Sequence, residues 1–289
     1  MLDYHKTRAF DSVVRQTYAA RDTILYALGL GFGADPLDPS QIRFVYEREL
    51  QTMPTIAAVL ASPGFWMRDR KELGIDAMKV VHGEQMLQVH APLPTEGTVV
   101  GRTQVTRVVD KGAGKGAIIH AEKRLSHEAT QRLLATVESV YFCRGDGGFS
   151  ASSGESDAPA EPAPTVPDAP PDGAVDVVTR LDQALVYRLS GDINPLHVDP
   201  AVAAKLGFPR PILHGLATWG IAGRAILAAC CESDPARLHG LRARLSAPVL
   251  PGDTLRLECW RNRTGAAFRM RAVERDAVVL TNGEAVFQV

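Results

Sequence analysis

The densest run of residues able to do chemistry is Ser190-Gly-Asp192-Ile-Asn194-Pro-Leu-His197-Val-Asp199-Pro200, followed by Pro211-Ile-Leu-His214-Gly215-Leu-Ala-Thr-Trp219. Pro195 and Pro200 exclude a continuous helix through the first run. Asp192 and His197 are therefore expected to converge across a proline turn instead of lying on different sides of one helix. A carboxylate and an imidazole that share a water make it a better nucleophile, and the imidazole cycles a proton near neutral pH. Asn194, between them, is suited to orient that water or to anchor the loop. Gly215 precedes an uncharged stretch that ends at Arg224 and reads as a buried helix. Its backbone N–H would then lie at the helix N-terminus, where unpaired amides and the dipole favour a developing negative oxygen, an oxyanion hole in outline. Plainer readings compete: Asp192 with Asn194 as an Asx turn, His197 as a core histidine bonded to backbone, and His214-Gly215 as a structural helix start.

The scaffold around these residues is expected to be duplicated. A length of 289 residues fits about two domains. Composition shifts once, into a Ser/Ala/Pro-rich segment that cannot bury enough apolar area to offset its ordering entropy. The expected division is 1–147, a linker at 148–173, and 174–289. Stretched as polyproline II, at about 3.1 Å per residue, the linker would run on the order of 80 Å. Ile24-Leu-Tyr26-Ala-Leu28-Gly echoes Leu185-Val-Tyr187-Arg-Leu189-Ser, and Ala91-Pro92 to Val99 echoes Ala247-Pro248 to Leu255. Each half reads as helix-like apolar spacing followed by β-branched runs, at 98–109, 116–125 and 133–142 and again at 254–261, 266–274 and 278–287. The class is α+β, one fold twice. Opposite Asp192, the first half has Gly31 and no nearby histidine, so one copy is expected to do chemistry and the other to offer a binding cavity.

A formal charge of -1 supplies no global field for a nucleic acid. The N-terminus lacks the apolar core of a secretory signal, and no stretch reads as a membrane span. Cys143, Cys230, Cys231 and Cys259 include no C-x-x-C and read as reduced thiols, with no metal site. Nothing resembling a dinucleotide fingerprint, a zinc-protease motif or a nucleophile elbow occurs, and no cofactor is expected.

The run from Tyr187 to Pro200, with Pro211-Ile-Leu-His-Gly215-Leu, resembles the signature of the (R)-specific 2-enoyl-CoA hydratases, the MaoC-like or hydratase 2 family. Ile24 to Gly29, Phe44-Val-Tyr-Glu47, Met53-Pro-Thr, His82-Gly-Glu-Gln85, Pro92-Leu-Pro, Asp110-Lys-Gly and Ala247 to Thr254 follow in family order. The resemblance implies a double hot-dog fold, two antiparallel sheets each wrapped around a central helix. It implies that Asp192 and His197 bind the water that adds to C3 of a trans-2-enoyl thioester, that Asn194 supports the site, and that Gly215 donates its N–H to the thioester oxygen. Glu47 matches a required first-half carboxylate, although Arg48-Glu49-Leu50 departs from the family pattern and Glu49 competes for the role. His82 and Gln85 either shape the same cavity or belong to a polar strand at the junction. Lys205, Arg210 and Arg224 are candidates for the phosphates of coenzyme A. A homodimer acting on acyl-CoA is implied. The end Phe287-Gln-Val289, without a peroxisomal tripeptide, reads as cytoplasmic. A hot-dog thioesterase and a non-catalytic acyl-thioester binder remain the alternatives.

Overall fold

In the computed structural model, which describes residues 2–287, the β-branched runs alternate buried and less buried positions and form long antiparallel strands. Gln288 and Val289, read for a targeting signal, lie outside the described residues. The first half contributes β1 (Asp11–Tyr18), β2 (Val80–Val89), β3 (Gly97–Asp110), β4 (Ala117–His127) and β5 (Leu133–Cys143). The second contributes β6 (Gly173–Val178), β7 (Leu238–Leu245), β8 (Thr254–Asn262), β9 (Gly265–Ala272) and β10 (Ala277–Phe287). They make one ten-stranded sheet in the order β1-β3-β4-β5-β2-β7-β10-β9-β8-β6. Outward from the middle, each half runs through its second, fifth, fourth, third and first strand. The same topology therefore occurs twice and meets where β2 pairs with β7, as a double hot-dog fold.

The uncharged stretch forms the central helix, Gly215–Cys230, and every residue from Ala217 to Gly223 is buried. Glycines let it approach the first half. A Cβ on Gly220 would lie 2.6 Å from Leu30 Cδ2, and one on Gly223 would lie 2.9 Å from Met53 Cε. The halves differ here. The first-half counterpart of this helix is only the 3-10 segment Pro54–Ala58, which begins at a proline and ends on Lys123. The buried Lys123 Nζ donates to the Ala58 carbonyl at 3.0 Å and the Leu60 carbonyl at 2.6 Å. Burial lowers its pKa to about 7.

The Pro-rich segment is tied down along its length. Asp157 N–H donates to the Val108 carbonyl at 3.0 Å. Asn282 Nδ2 donates to the Ala163 carbonyl at 3.1 Å, and Trp260 Nε1 donates to the Ala169 carbonyl at 2.7 Å. It thus crosses from β3 to β10 and β8 before entering β6. No helix among the described residues is long and apolar enough to cross a membrane.

Because a Cβ at Gly220 would already crowd Leu30 at 2.6 Å, Gly220→Leu is expected to destabilise the fold by about 1–3 kcal/mol through overpacking. Thermal unfolding checks this, and an unchanged midpoint would contradict the packing described.

Candidate active site

The loop carrying Asp192, Asn194 and His197 is shaped by local capping before any tertiary contact is made. After the helix Gln183–Tyr187 and the turn Arg188–Ser190, Gly191 takes φ 120°, a conformation that turns the chain towards Asp192. Asp192 Oδ1 accepts from Asn194 N–H at 3.1 Å, and Asn194 Oδ1 accepts from Leu196 N–H at 3.0 Å. With Pro195 at its first position, the short turn Pro195–His197 follows directly. Asp199 then caps the helix Pro200–Lys205 through Ala201 N–H at 2.8 Å. The Asx turn is thus present, and it occupies one carboxylate oxygen of Asp192 while leaving the other free of that bond.

His197 behaves the same way. Its Nδ1 lies 2.8 Å from the Ile212 carbonyl, which can only accept, so Nδ1 carries the proton and Nε2 keeps a lone pair. It is a backbone-bonded core histidine whose other nitrogen faces the site. Burial lowers its pKa from the ordinary imidazole value, and the Asp192 carboxylate opposes that shift. His214, at the start of the central helix, stacks on it with ring centroids 3.7 Å apart and planes inclined by 26°. The Nε2 of His214 donates to the Asp192 carbonyl at 3.0 Å by the same argument. Burial and the neighbouring His197 push its pKa down to about 3.

Asp192, His197 and His214 bring ligand-type atoms within 4.8 Å of one another. Ring planes only 26° apart do not aim two in-plane lone pairs at a common ion, and one nitrogen of each ring is committed to a carbonyl. The geometry suits a water held between a carboxylate and Nε2. Gly215 N–H opens the helix beside it, with the dipole favouring negative charge. A Cβ at Gly215 would meet Leu245 Cδ2 at 3.1 Å, so packing as well as ligand approach favours glycine there.

The second wall comes from the first half. His82 on β2 has its pKa lowered to about 4 by burial, with the charge of Asp192 acting in the opposite direction. Its ring lies 5.2 Å from that of Tyr141 on β5. The fully buried Gln85 accepts from Ser139 Oγ at 2.9 Å. The strand carrying His82 and Gln85 is the junction strand, paired with β7, and His82 on it feels the charge of Asp192. Tyr141 was not singled out in the sequence, and Tyr187 only as part of a motif; their ring contacts with His82 and His214 arise from strand and loop register.

A family model described as "MaoC like domain" matches residues 162–283, and one described as "MFE-2 hydratase 2 N-terminal domain" matches residues 16–145. The protein named 3-hydroxyacyl-thioester dehydratase Y of Mycobacterium tuberculosis is 41% identical over 273 residues, covering 91% of this chain and 90% of that one. The chain belongs to the MaoC-like hydratase 2 family. Enoyl-CoA hydratase 2, peroxisomal, of Arabidopsis thaliana is 36% identical over 285 residues, covering 92% of this chain and 89% of its own. The full-length peroxisomal multifunctional enzyme type 2 of Drosophila melanogaster superposes with a TM-score of 0.79 at 34% identity, over 96% of this chain and 48% of the longer one.

The remaining candidates of this MaoC-like chain are distributed differently. Glu47 and Glu49 occupy an exposed turn, and Glu49 takes a left-handed φ of 59°. Lys205 and Arg210 are exposed just beyond the Asp192–His197 loop. Arg224 points elsewhere: its guanidinium donates to the Leu30 carbonyl at 3.2 Å and Gln41 Oε1 at 3.0 Å, and sits 5.0 Å above the Phe32 ring. That binds the central helix to the first half.

His82 and His214 also contribute to the acid sensitivity of the fold. In the unfolded chain an imidazole titrates near about 6.5, whereas these remain neutral in the folded state down to about 4 and about 3. The unfolded state binds more protons below about 6.5, so stability is fully present above that pH and is lost as pH falls towards the folded values. Urea midpoints at pH 7.5 and 5.5 should show a loss on the order of 1 kcal/mol for His214; an unchanged midpoint would contradict its buried neutral state.

Proposed function

We propose that this protein is a hydro-lyase that adds water reversibly to trans-2-enoyl-CoA, giving the (3R)-3-hydroxyacyl thioester. The observation that carries the reading is the Asp192–His197 pair, in which Nδ1 of His197 is fixed and Nε2 is left as a base. The water between them loses a proton as its oxygen bonds to C3. The thioester oxygen gains negative charge at that moment and takes the Gly215 N–H. The proton then passes from the pair to C2, so the elements of one water are added and the site returns to its starting state. The acid–base pair accounts for about 10² to 10⁴ in rate, and one oxyanion donor for about 10² to 10³.

In this reading the catalytic unit is 174–289, and the unit 1–147 receives the acyl chain where the first-half helix is reduced to Pro54–Ala58. The segment 148–173 connects them. Asn194 supports the loop through its bond to Leu196. Glu47 is the supporting first-half carboxylate, with Glu49 as its rival. The exposed Lys205 and Arg210 serve the phosphates of coenzyme A, and Arg224 is engaged in packing the halves together. The protein acts as a cytoplasmic homodimer on acyl-CoA.

Asp192→Asn and His197→Ala are each expected to lower turnover of crotonyl-CoA at least about a hundredfold with the fold intact. Loss of enoyl absorbance and chiral separation of the product measure this. Near-normal turnover in either variant sinks the assignment, and release of free coenzyme A without a hydroxyacyl product points to a thioesterase.

A further inference from the structure

No proton step above uses His214, yet it touches both groups that do. Its Nε2 donates to the main-chain carbonyl of Asp192 at 3.0 Å, and its face covers His197 at 3.7 Å. Behind it the Tyr187 ring lies at 5.0 Å. His214 Nδ1 is buried without a partner among the described residues. An unpaired buried polar group costs about 1–3 kcal/mol, and a phenylalanine would fill the same space without an unpaired nitrogen. The imidazole is explained by what its opposite nitrogen and its face hold.

We propose that His214 is the positioning residue of this site: its Nε2–H fixes the Asp192 main chain while its ring fixes the plane of His197, setting carboxylate and Nε2 in register on one water. The inference rests on the hydratase reading. Its stack also keeps solvent from His197. The titratable and charged groups that act on the two rings are Asp192 and each other, with Arg188 from the preceding turn. Tyr187, and His82 and Tyr141 across the junction, also feel Asp192. Uncovering His197 relieves its desolvation, so its pKa rises towards the ordinary imidazole value.

Three variants separate the two functions. His214→Phe keeps the stack and loses the hydrogen bond, His214→Gln keeps a donor and loses the stack, and His214→Ala loses both. With crotonyl-CoA, the first two are expected to lower kcat about tenfold and the third about a hundredfold, with KM within about twofold, as misplacement of a reacting group does. The acid limb of the kcat/KM profile should move to higher pH in His214→Gln and His214→Ala and stay in place in His214→Phe. Unchanged kcat in all three overturns the proposal, as does a raised KM at unchanged kcat, which would make His214 a binding group. The wild-type protein supplies a test free of folding defects and of substrate. Nitrogen-15 spectra of labelled histidines should show the proton on Nε2 of His214 and on Nδ1 of His197, and the opposite tautomer at His214 overturns the proposal. Wild-type protein inactive on every enoyl thioester would contradict the hydratase reading instead, since the tautomers are read without substrate.

Discussion

Pairing of β2 with β7 is the contact on which the rest of the molecule depends. Glu84 to Gln88 run antiparallel to Arg244 to Gly240, and that register converts two five-stranded halves into one sheet with no free inner edge. It also determines what faces the chemistry. His82 precedes the paired stretch on β2, so the same pairing that closes the sheet brings a first-half imidazole and Tyr141 opposite a loop of the second half. One continuous sheet also lets one long helix serve both halves. The second-half helix fills the centre, and the first half contributes a turn capped by Lys123 where its own helix would run.

Desolvation is the common electrostatic theme of the site. Three histidines lie near one carboxylate, and burial lowers the pKa of each while Asp192, through its charge or its carbonyl, pulls in the opposite direction. Burial prevails in all three. The consequence is chemical: a neutral His197 with its proton held on Nδ1 presents a lone pair, whereas a salt bridge with Asp192 would present none. A polar centre built this way relies on backbone carbonyls at Ile212 and Asp192 for its orientation, because a carbonyl accepts only and so fixes each tautomer.

Much of this was legible in the residues themselves. The β-branched runs mark β3, β4, β5, β8, β9 and β10 within a residue or two, since each alternates against a core. Gly215 marks the start of the central helix, while the register shift of β10 against β7 between Thr281 and Glu284 falls on Asn282-Gly283. β1 and β7 carry charges on one face, and β6 is a short edge strand, so their apolar signal is weak. Arg224 was legible only as a cation; that it reaches Leu30 and Gln41 follows from how the halves pack, which local pattern does not encode. The Asx turn posed as an alternative at Asp192 is present, and it uses only one of the two carboxylate oxygens. His214 was the least visible, because a histidine before a helix-opening glycine has no spacing that announces a role.

The central claim is that one carboxylate–imidazole pair, on one side of the substrate, both takes the proton from water and returns it to C2. Hydration of an enoyl-CoA in deuterium oxide tests this directly, with the C2 configuration of the product read by proton NMR. The account predicts deuterium on the same face as the new C3 oxygen. Deuterium on the opposite face would require a second acid beyond the Asp192–His197 loop and would contradict it.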